Sequence, residues 1–262
     1  QPNGEFKPFH VYSMYQSIHE GFTLDVLQNY TTYKRYFRLN QKVNDDSEVD
    51  ARQVKRMLVN WVDIHPHTIT EKTQIILDHF RSKTVNKMEG KARGMVVTRS
   101  RLHCVKFKLE FDRQMKELGL PYQAIVGFSG KVIDGDTGQE YTESSMNDFS
   151  DSETEQRLKY PQNRILIVNN KFQTGFDEPM LHTMYVDKPM KGHGLMQAIA
   201  RVNRVFKDKP GGLIVDYIGI AQNLKNALGD YSGGDRDKTG ISQAEAVAVM
   251  LEKYEIVKDM FF

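Results

Sequence analysis

The chain has 262 residues, 39% of them hydrophobic, and 36 basic against 34 acidic side chains leave a formal net charge of +2. With a mean hydropathy of −0.55, this fits one globular α/β domain with additions. No run of about 18 apolar residues is present to span a membrane, QPNGEFKPFH is not a secretory leader, and a lone Cys104 excludes a disulfide framework and fits a reducing compartment.

From the start, residues 11–18 and 23–30 are candidate short elements. The aromatic and basic stretch 33–39 is read as packing rather than as a base-stacking surface. Residues 47–64 predict a helix with Val54, Leu58 and Trp61 on one face. A second helix is expected from Thr68, where Thr68 and Glu71 form a T-x-x-E capping box. His65 and His67 around Pro66 have no Cys or carboxylate at ligand spacing, so they read as loop histidines.

Five short apolar runs, 94–98, 123–128, 165–168, 182–186 and 213–215, predict buried strands of a mostly parallel sheet. The segments between them are long enough for crossover helices. Ser100 is expected to cap the first of these, with Cys104, Phe107, Phe111, Met115 and Leu118 buried and Gly119 and Pro121 ending it. Residues 133–147, containing DGDTG, predict a loop, and 153–160 a short helix. Between the last two strands, Leu195, Ile199, Val202 and Phe206 recur at helical spacing, while Gln197, Arg201 and Arg204 line the opposite side. Spacing alone favours an ordinary solvated face, since two arginines on a helix more often make a solvated face than a site. Residues 218–228 should be helical, 229–240 a flexible connection, and Ser242 with Glu245 should cap a final helix. A first residue other than Met and an apolar last turn suggest a piece of a longer protein.

The polar stripe lies in company. QAIARVNR (197–204) fits the Q-x-x-[GA]-R-x-x-R of motif VI in superfamily 2 helicases, and NNKFQTGFDEP (169–179) fits their motif V. With the MYVDK strand between them, the whole run resembles the motor (R) subunit of type I restriction enzymes. The resemblance covers nearly the whole chain and is strongest over 163–220.

The resemblance implies an α/β RecA-like domain of the P-loop NTPase type, with a mostly parallel sheet flanked by helices and with helical N- and C-terminal segments. It would be the second of two motor domains. The expected division is a mixed helical segment at 1–88, the motor domain at 89–228, and a linker with the start of a helical region at 229–262. Arg201 and Arg204, assisted by Gln197, would stabilise charge developing on the γ-phosphate of ATP. Gly175 would give a close backbone approach and Asp177 would lie on the nucleotide side. Thr98, Arg99, Ser100, Ser129, Asn169, Asn170, Lys171 and Thr174 would face the DNA backbone.

Two departures from the commoner pattern are Ala200 for Gly and Asn169-Asn170 for Thr-Asp. No G-x-x-x-x-G-K-[ST] occurs, since Gly130-Lys131 is followed by Val132. ATP and Mg2+ are therefore expected to bind mainly to the missing first domain, and this chain alone to be inactive. The E-x-K of Glu5-Phe6-Lys7 has no acidic partner upstream and is not read as a nuclease site, and no metal site is expected. Implied partners are double-stranded DNA, the first RecA-like and nuclease domains of the same subunit, and the modification and specificity subunits, in a prokaryotic cytoplasm without membrane attachment. Two alternatives stand: a motor domain of another superfamily 2 helicase or remodelling-type ATPase, and a non-catalytic RecA-like docking module whose arginines only contact a partner.

Overall fold

The computed structural model describes residues 30–32, 63–172, 177–204, 206, 209 and 211–217. The expected helices at 47–64, 218–228 and beyond 242, the connection at 229–240, and residues Thr174 and Gly175 lie essentially outside these.

Six strands form one sheet: β1 (Tyr30–Thr32), β2 (Arg93–Thr98), β3 (Gln123–Gly127), β6 (Asn163–Val168), β7 (Leu181–Asp187) and β8 (Leu213–Asp216). Their order is β1-β8-β7-β2-β6-β3, and every pairing is parallel. All five expected strands are present within a residue or two. The sixth, β1, is a three-residue edge strand with no apolar run of its own. β2 and β6 lie inside the sheet with every residue buried, which is why their sequences read as continuous apolar runs.

The pleat sorts those runs into two cores. Met95, Val97, Leu166, Val168, Met184, Val186 and Ile214 face one side, where Leu158, Leu195, Ile199 and Val202 cover them. Val96, Ile165, Ile167, Tyr185 and Val215 face the other, under Ile76, Phe80, Phe107 and Phe111. The helices concerned are α1 (Pro66–His79) and α2 (Arg101–Glu117) on the second face, and α4 (Thr154–Leu158) and α5 (Gly192–Val202) on the first. This is a three-layer α/β architecture of the RecA-like type.

α1 starts two residues earlier than the capping-box reading. Pro66 occupies the first turn, where its missing N–H costs nothing, and His65 is the cap, its Nδ1 accepting from His67 N at 3.3 Å. Glu71 reaches His67 instead, at 3.3 Å. α2 begins as expected, with Ser100 Oγ accepting from His103 N at 3.3 Å. Leu118, expected in the core, is 41% exposed because it is the cap residue that turns the chain away. Gly119 follows at φ +59°, a conformation that glycine adopts without strain.

Residues 133–147 are more ordered than a loop. β4 (Lys131–Ile133) and β5 (Glu140–Thr142) form an antiparallel hairpin, and α3 (Glu143–Asn147) follows, capped reciprocally by Thr142 and Ser145. The hairpin is anchored to α2 by Lys106 Nζ, which donates to Asp134 Oδ2 at 2.6 Å.

Candidate functional site

Because the strands are parallel, the residues after β2, β3, β6 and β7 all reach the same edge of the sheet, where open α/β sheets bind ligands. Arg99 and Ser100 follow β2, Ser129 follows β3, and Asn169, Asn170 and Lys171 follow β6. The structure thus gathers these residues on one rim. Thr98 is fully buried there: its Oγ1 lies 3.1 Å from the Ser100 carbonyl and 3.2 Å from that of Val168. It ties the rim together from beneath rather than facing outward.

The rim's cations have anionic or polar partners. Arg99 NH1 is 2.7 Å from Asp63 Oδ2. Lys171 Nζ donates to Glu143 Oε1 at 2.8 Å and to the Asp151 carbonyl at 3.1 Å. Lys188, the first residue after β7, reaches Asn169 Oδ1 at 3.4 Å and also contacts Asn170 Oδ1. Burial lowers the pKa of Lys188. Arg101 NH1 donates to the Ser129 carbonyl at 3.2 Å.

Under the rim lies a buried ionic layer. Lys72 Nζ sits 2.7 Å from Asp187 Oδ1 and 3.5 Å from Asp63 Oδ1, and Lys72 and Asp187 are at most 1% exposed. His103, beside it, has its pKa lowered chiefly by burial and bonds to Ser100 through Nδ1 at 2.8 Å.

The opposite edge holds the other predicted group. α5 runs back from the carboxyl end of β7 and stops at Val202, so Phe206 is not part of its buried stripe and is only half-buried. Gln197 and Arg201 share its partly exposed side. Arg204 stands in the turn beyond the helix, where it forms an ion pair with Asp177; their side chains are 49% and 57% exposed. Two expected nucleotide-side residues thereby meet. The turn is pinned by Asn203, fully buried, whose Oδ1 accepts from Gly212 N at 3.2 Å.

Asp177 is followed by a buried lattice of charge. Glu178 Oε1 accepts from Arg93 NH1 at 3.2 Å and from Met180 N at 2.9 Å. Arg93 also donates through Nε to the Leu158 carbonyl at 2.8 Å and through NH2 to that of Lys159 at 2.9 Å. Lys209 Nζ donates to the Leu181 carbonyl at 2.7 Å. Desolvation brings the Lys209 amine down to about 8, partly offset by Glu178. His182, neighbouring this lattice, is lowered to about 4, first by burial and then by Lys209, Lys87 and His79.

Sequence reasoning missed Lys188, Glu143, Arg93, Glu178 and the Lys72–Asp187 pair. A signal existed for two of them. Lys72 occupies a position on the buried stripe of α1 between Ile69 and Ile76, and Glu178 lies inside the GFDEP run. Among the described residues no group of His, Cys, Asp or Glu could hold a metal ion, and no helix is long and apolar enough to cross a membrane.

The family model "Type I restriction enzyme subunit R domain 3" matches residues 123–219. The chain is 39% identical over 199 residues to the endonuclease subunit of the type I restriction enzyme MjaIXP of Methanocaldococcus jannaschii, covering 74% of this chain and 18% of the relative. It is 30% identical over 270 residues to the HindI endonuclease subunit of Haemophilus influenzae, covering 96% of this chain and 24% of that protein. The chain thus spans about a quarter or less of the length of these relatives. Among solved structures, a fragment of an HsdR subunit of a type I restriction enzyme from Vibrio vulnificus YJ016 is similar in fold, with a TM-score of 0.54 at 16% identity over 87% of this chain and 38% of the other.

Proposed function

We propose that this chain, which belongs to the family of type I restriction enzyme R subunits, is the second RecA-like domain of an ATP-driven motor that moves double-stranded DNA before cleavage. The observation that carries this reading is the Arg204–Asp177 pair, which holds a guanidinium half-exposed at one end of the QAIARVNR helix. An arginine fixed in that way is suited to a phosphate presented by a neighbouring domain, because its orientation is set before the ligand arrives.

The triphosphate and its Mg2+ are assigned to the first motor domain, which brings the phosphate-cradling loop. Arg204 and Arg201 add positive charge where the γ-phosphate gains negative charge in the transition state, and Gln197 assists. The carboxyl rim takes the DNA. Arg99, Ser100, Ser129, Asn169, Asn170 and Lys171 are of the types that contact phosphate, and a translocase gains from gripping phosphate because every sequence presents it alike. The two functions then occupy opposite edges of one sheet, so a shift of the domain driven at one edge displaces the other. The nuclease domain and the modification and specificity subunits supply cutting and recognition.

The test is Arg201→Ala and Arg204→Ala in the intact subunit. Neither side chain belongs to the buried stripe, so truncation opens no core cavity. Expected is a fall in turnover of about 10³-fold or more, with the fold and DNA binding retained. Normal ATP hydrolysis by both variants would leave the docking-module reading in its place. The chain by itself should hydrolyse no ATP.

A further inference from the structure

The exposed Arg204–Asp177 pair stands on two buried supports, and the sequence offers no reason for the second of them to be charged. Asn203 fixes one side by accepting from Gly212 N. On the other side, Glu178 is only 5% exposed and Arg93 only 7%, a position in which charged side chains are rare unless paired. An apolar pair of similar volume would hold β2 against β7 at no desolvation cost. What a carboxylate and a guanidinium add is direction.

Arg93 uses three of its five N–H donors in different directions: one to Glu178, one to the Leu158 carbonyl and one to the Lys159 carbonyl. Glu178 Oε1 accepts in turn from Met180 N, and the Glu178 carbonyl accepts from Leu181 N at 3.0 Å. The Arg93 N–H donates to the Met180 carbonyl at 2.8 Å, and Lys209 closes the far side by donating to the Leu181 carbonyl. Residues 178–181 are therefore held by side-chain and backbone bonds to Arg93 of β2 and by Lys209 from the segment after α5, with Arg93 itself anchored on the Leu158 and Lys159 carbonyls at the end of α4. Asp177 is one peptide bond from this clamp.

We propose that Arg93 and Glu178 are positioning residues for nucleotide turnover, acting by fixing Asp177 and, through it, the Arg204 guanidinium. The inference rests on the role given above to Arg204. Both are too buried to reach a nucleotide or DNA from outside. They determine how often Arg204 is aimed correctly when the transition state forms. Such a residue affects the chemical step and leaves ground-state ATP binding, made by the other domain, largely alone.

The experiment compares Glu178→Gln, Glu178→Leu and Arg204→Ala in the intact subunit, measuring kcat and KM for ATP with DNA saturating, and DNA affinity separately. Glutamine keeps an acceptor for Met180 N and Arg93, so Glu178→Gln should lose about 3- to 10-fold in kcat. Leucine keeps neither, so Glu178→Leu should lose about 100-fold. KM for ATP and DNA affinity should change less than about twofold in both. If Glu178→Leu does not fold, Glu178→Gln decides. Wild-type kcat in Glu178→Gln, or a rise in KM with kcat unchanged, overturns the proposal while Arg204→Ala is inactive. An active Arg204→Ala instead removes the reading on which the proposal rests, and the two failures are distinguishable in one set of assays.

Discussion

The two edges of the sheet use the same residue types in opposite ways. At the carboxyl edge, Lys171 is 24% exposed against a Glu143 that is 2% exposed, and Arg99 is 15% exposed. These cations lie at the protein–water boundary. The buried carboxylates they would leave keep other donors, Glu143 from Phe128 N and Thr154 Oγ1 and Asp63 from Lys72 Nζ, so a phosphate oxygen can take the place of the carboxylate. At the amino edge, Arg93, Glu178 and Lys209 are each buried beyond nine-tenths, and Arg204 and Asp177 emerge above them. Charges at the first edge can trade partners. Charges at the second cannot, because separating them strands each in a medium that does not solvate it. Salt should therefore modulate the rim and barely affect the brace.

The strongest way to break that contrast lies just below the rim, where the buried Lys72–Asp187 pair is as inaccessible as the brace. Lys72→Met leaves Asp187 uncompensated and should cost about 3–5 kcal/mol, read as a lower urea midpoint. Adding Asp187→Leu should return most of it. A rim that tolerated Lys72→Met alone would have no buried floor.

Next comes Gly212→Ala at the amino edge. A Cβ there would lie 2.3 Å from the Val202 carbonyl oxygen and 2.5 Å from its carbon. Backbone cannot yield as a side-chain tip does, so the end of α5 must move. A loss of about 3 kcal/mol is expected from the same urea measurement, together with a loss of turnover in the intact subunit, because Asn203 and Arg204 move with that turn.

The edges should also separate by pH. His182, held neutral down to about 4 in the folded chain, has an ordinary value of 6.5 when unfolded. Its contribution is constant above 6.5. As pH falls from 6.5 to 4 the unfolded state takes up the proton first, so stability falls, by about 2 kcal/mol at pH 5. His182→Gln should flatten that part of the urea midpoint against pH. A wild-type profile without the fall would show that protons reach the amino edge in the folded state.

The smallest effect belongs to the rim. Lys171→Ala in the intact subunit should reduce the slope of log affinity for DNA against log salt by about one, equally for all sequences. An unchanged slope would mean that Lys171 keeps Glu143 as its partner when DNA is bound.

What was legible in the sequence follows from what each feature depends on. Five strands could be read because β2, β3, β6, β7 and β8 are largely or wholly buried, and burial on both faces writes a run of apolar letters. The β4–β5 hairpin could not, since KVI and EYT are half polar and gain their order from α2 and α3. Helix α5 was legible in its stripe but not in its end. Asn203 stops it, and nothing in QAIARVNR distinguishes a helix that stops at Val202 from one that continues to Phe206. The candidate residues on the rim could be named from motif matches, but their partners could not. Lys72 and Asp187 are 115 positions apart, and Lys171 and Glu143 are 28 apart. Such pairs arise from topology, which periodicity does not encode.

The edge pairing of β1 with β8 also bears on how the chain is made. Tyr30 aligns with Ile214, so these partners are separated by roughly 180 residues. At synthesis rates of about 5–20 residues per second, the earlier strand waits on the order of 10–40 seconds for the later one to leave the ribosome. During that time β2, β3, β6 and β7 can already align, while β1 has nothing to pair with. The sheet is then completed from its β3 edge toward β1, and that last edge strand is added by a long-range closure that local propensity does not hasten. A stall or truncation before Leu213 would leave the edge of β7 bare, with unpaired amides open to strand addition by another nascent chain.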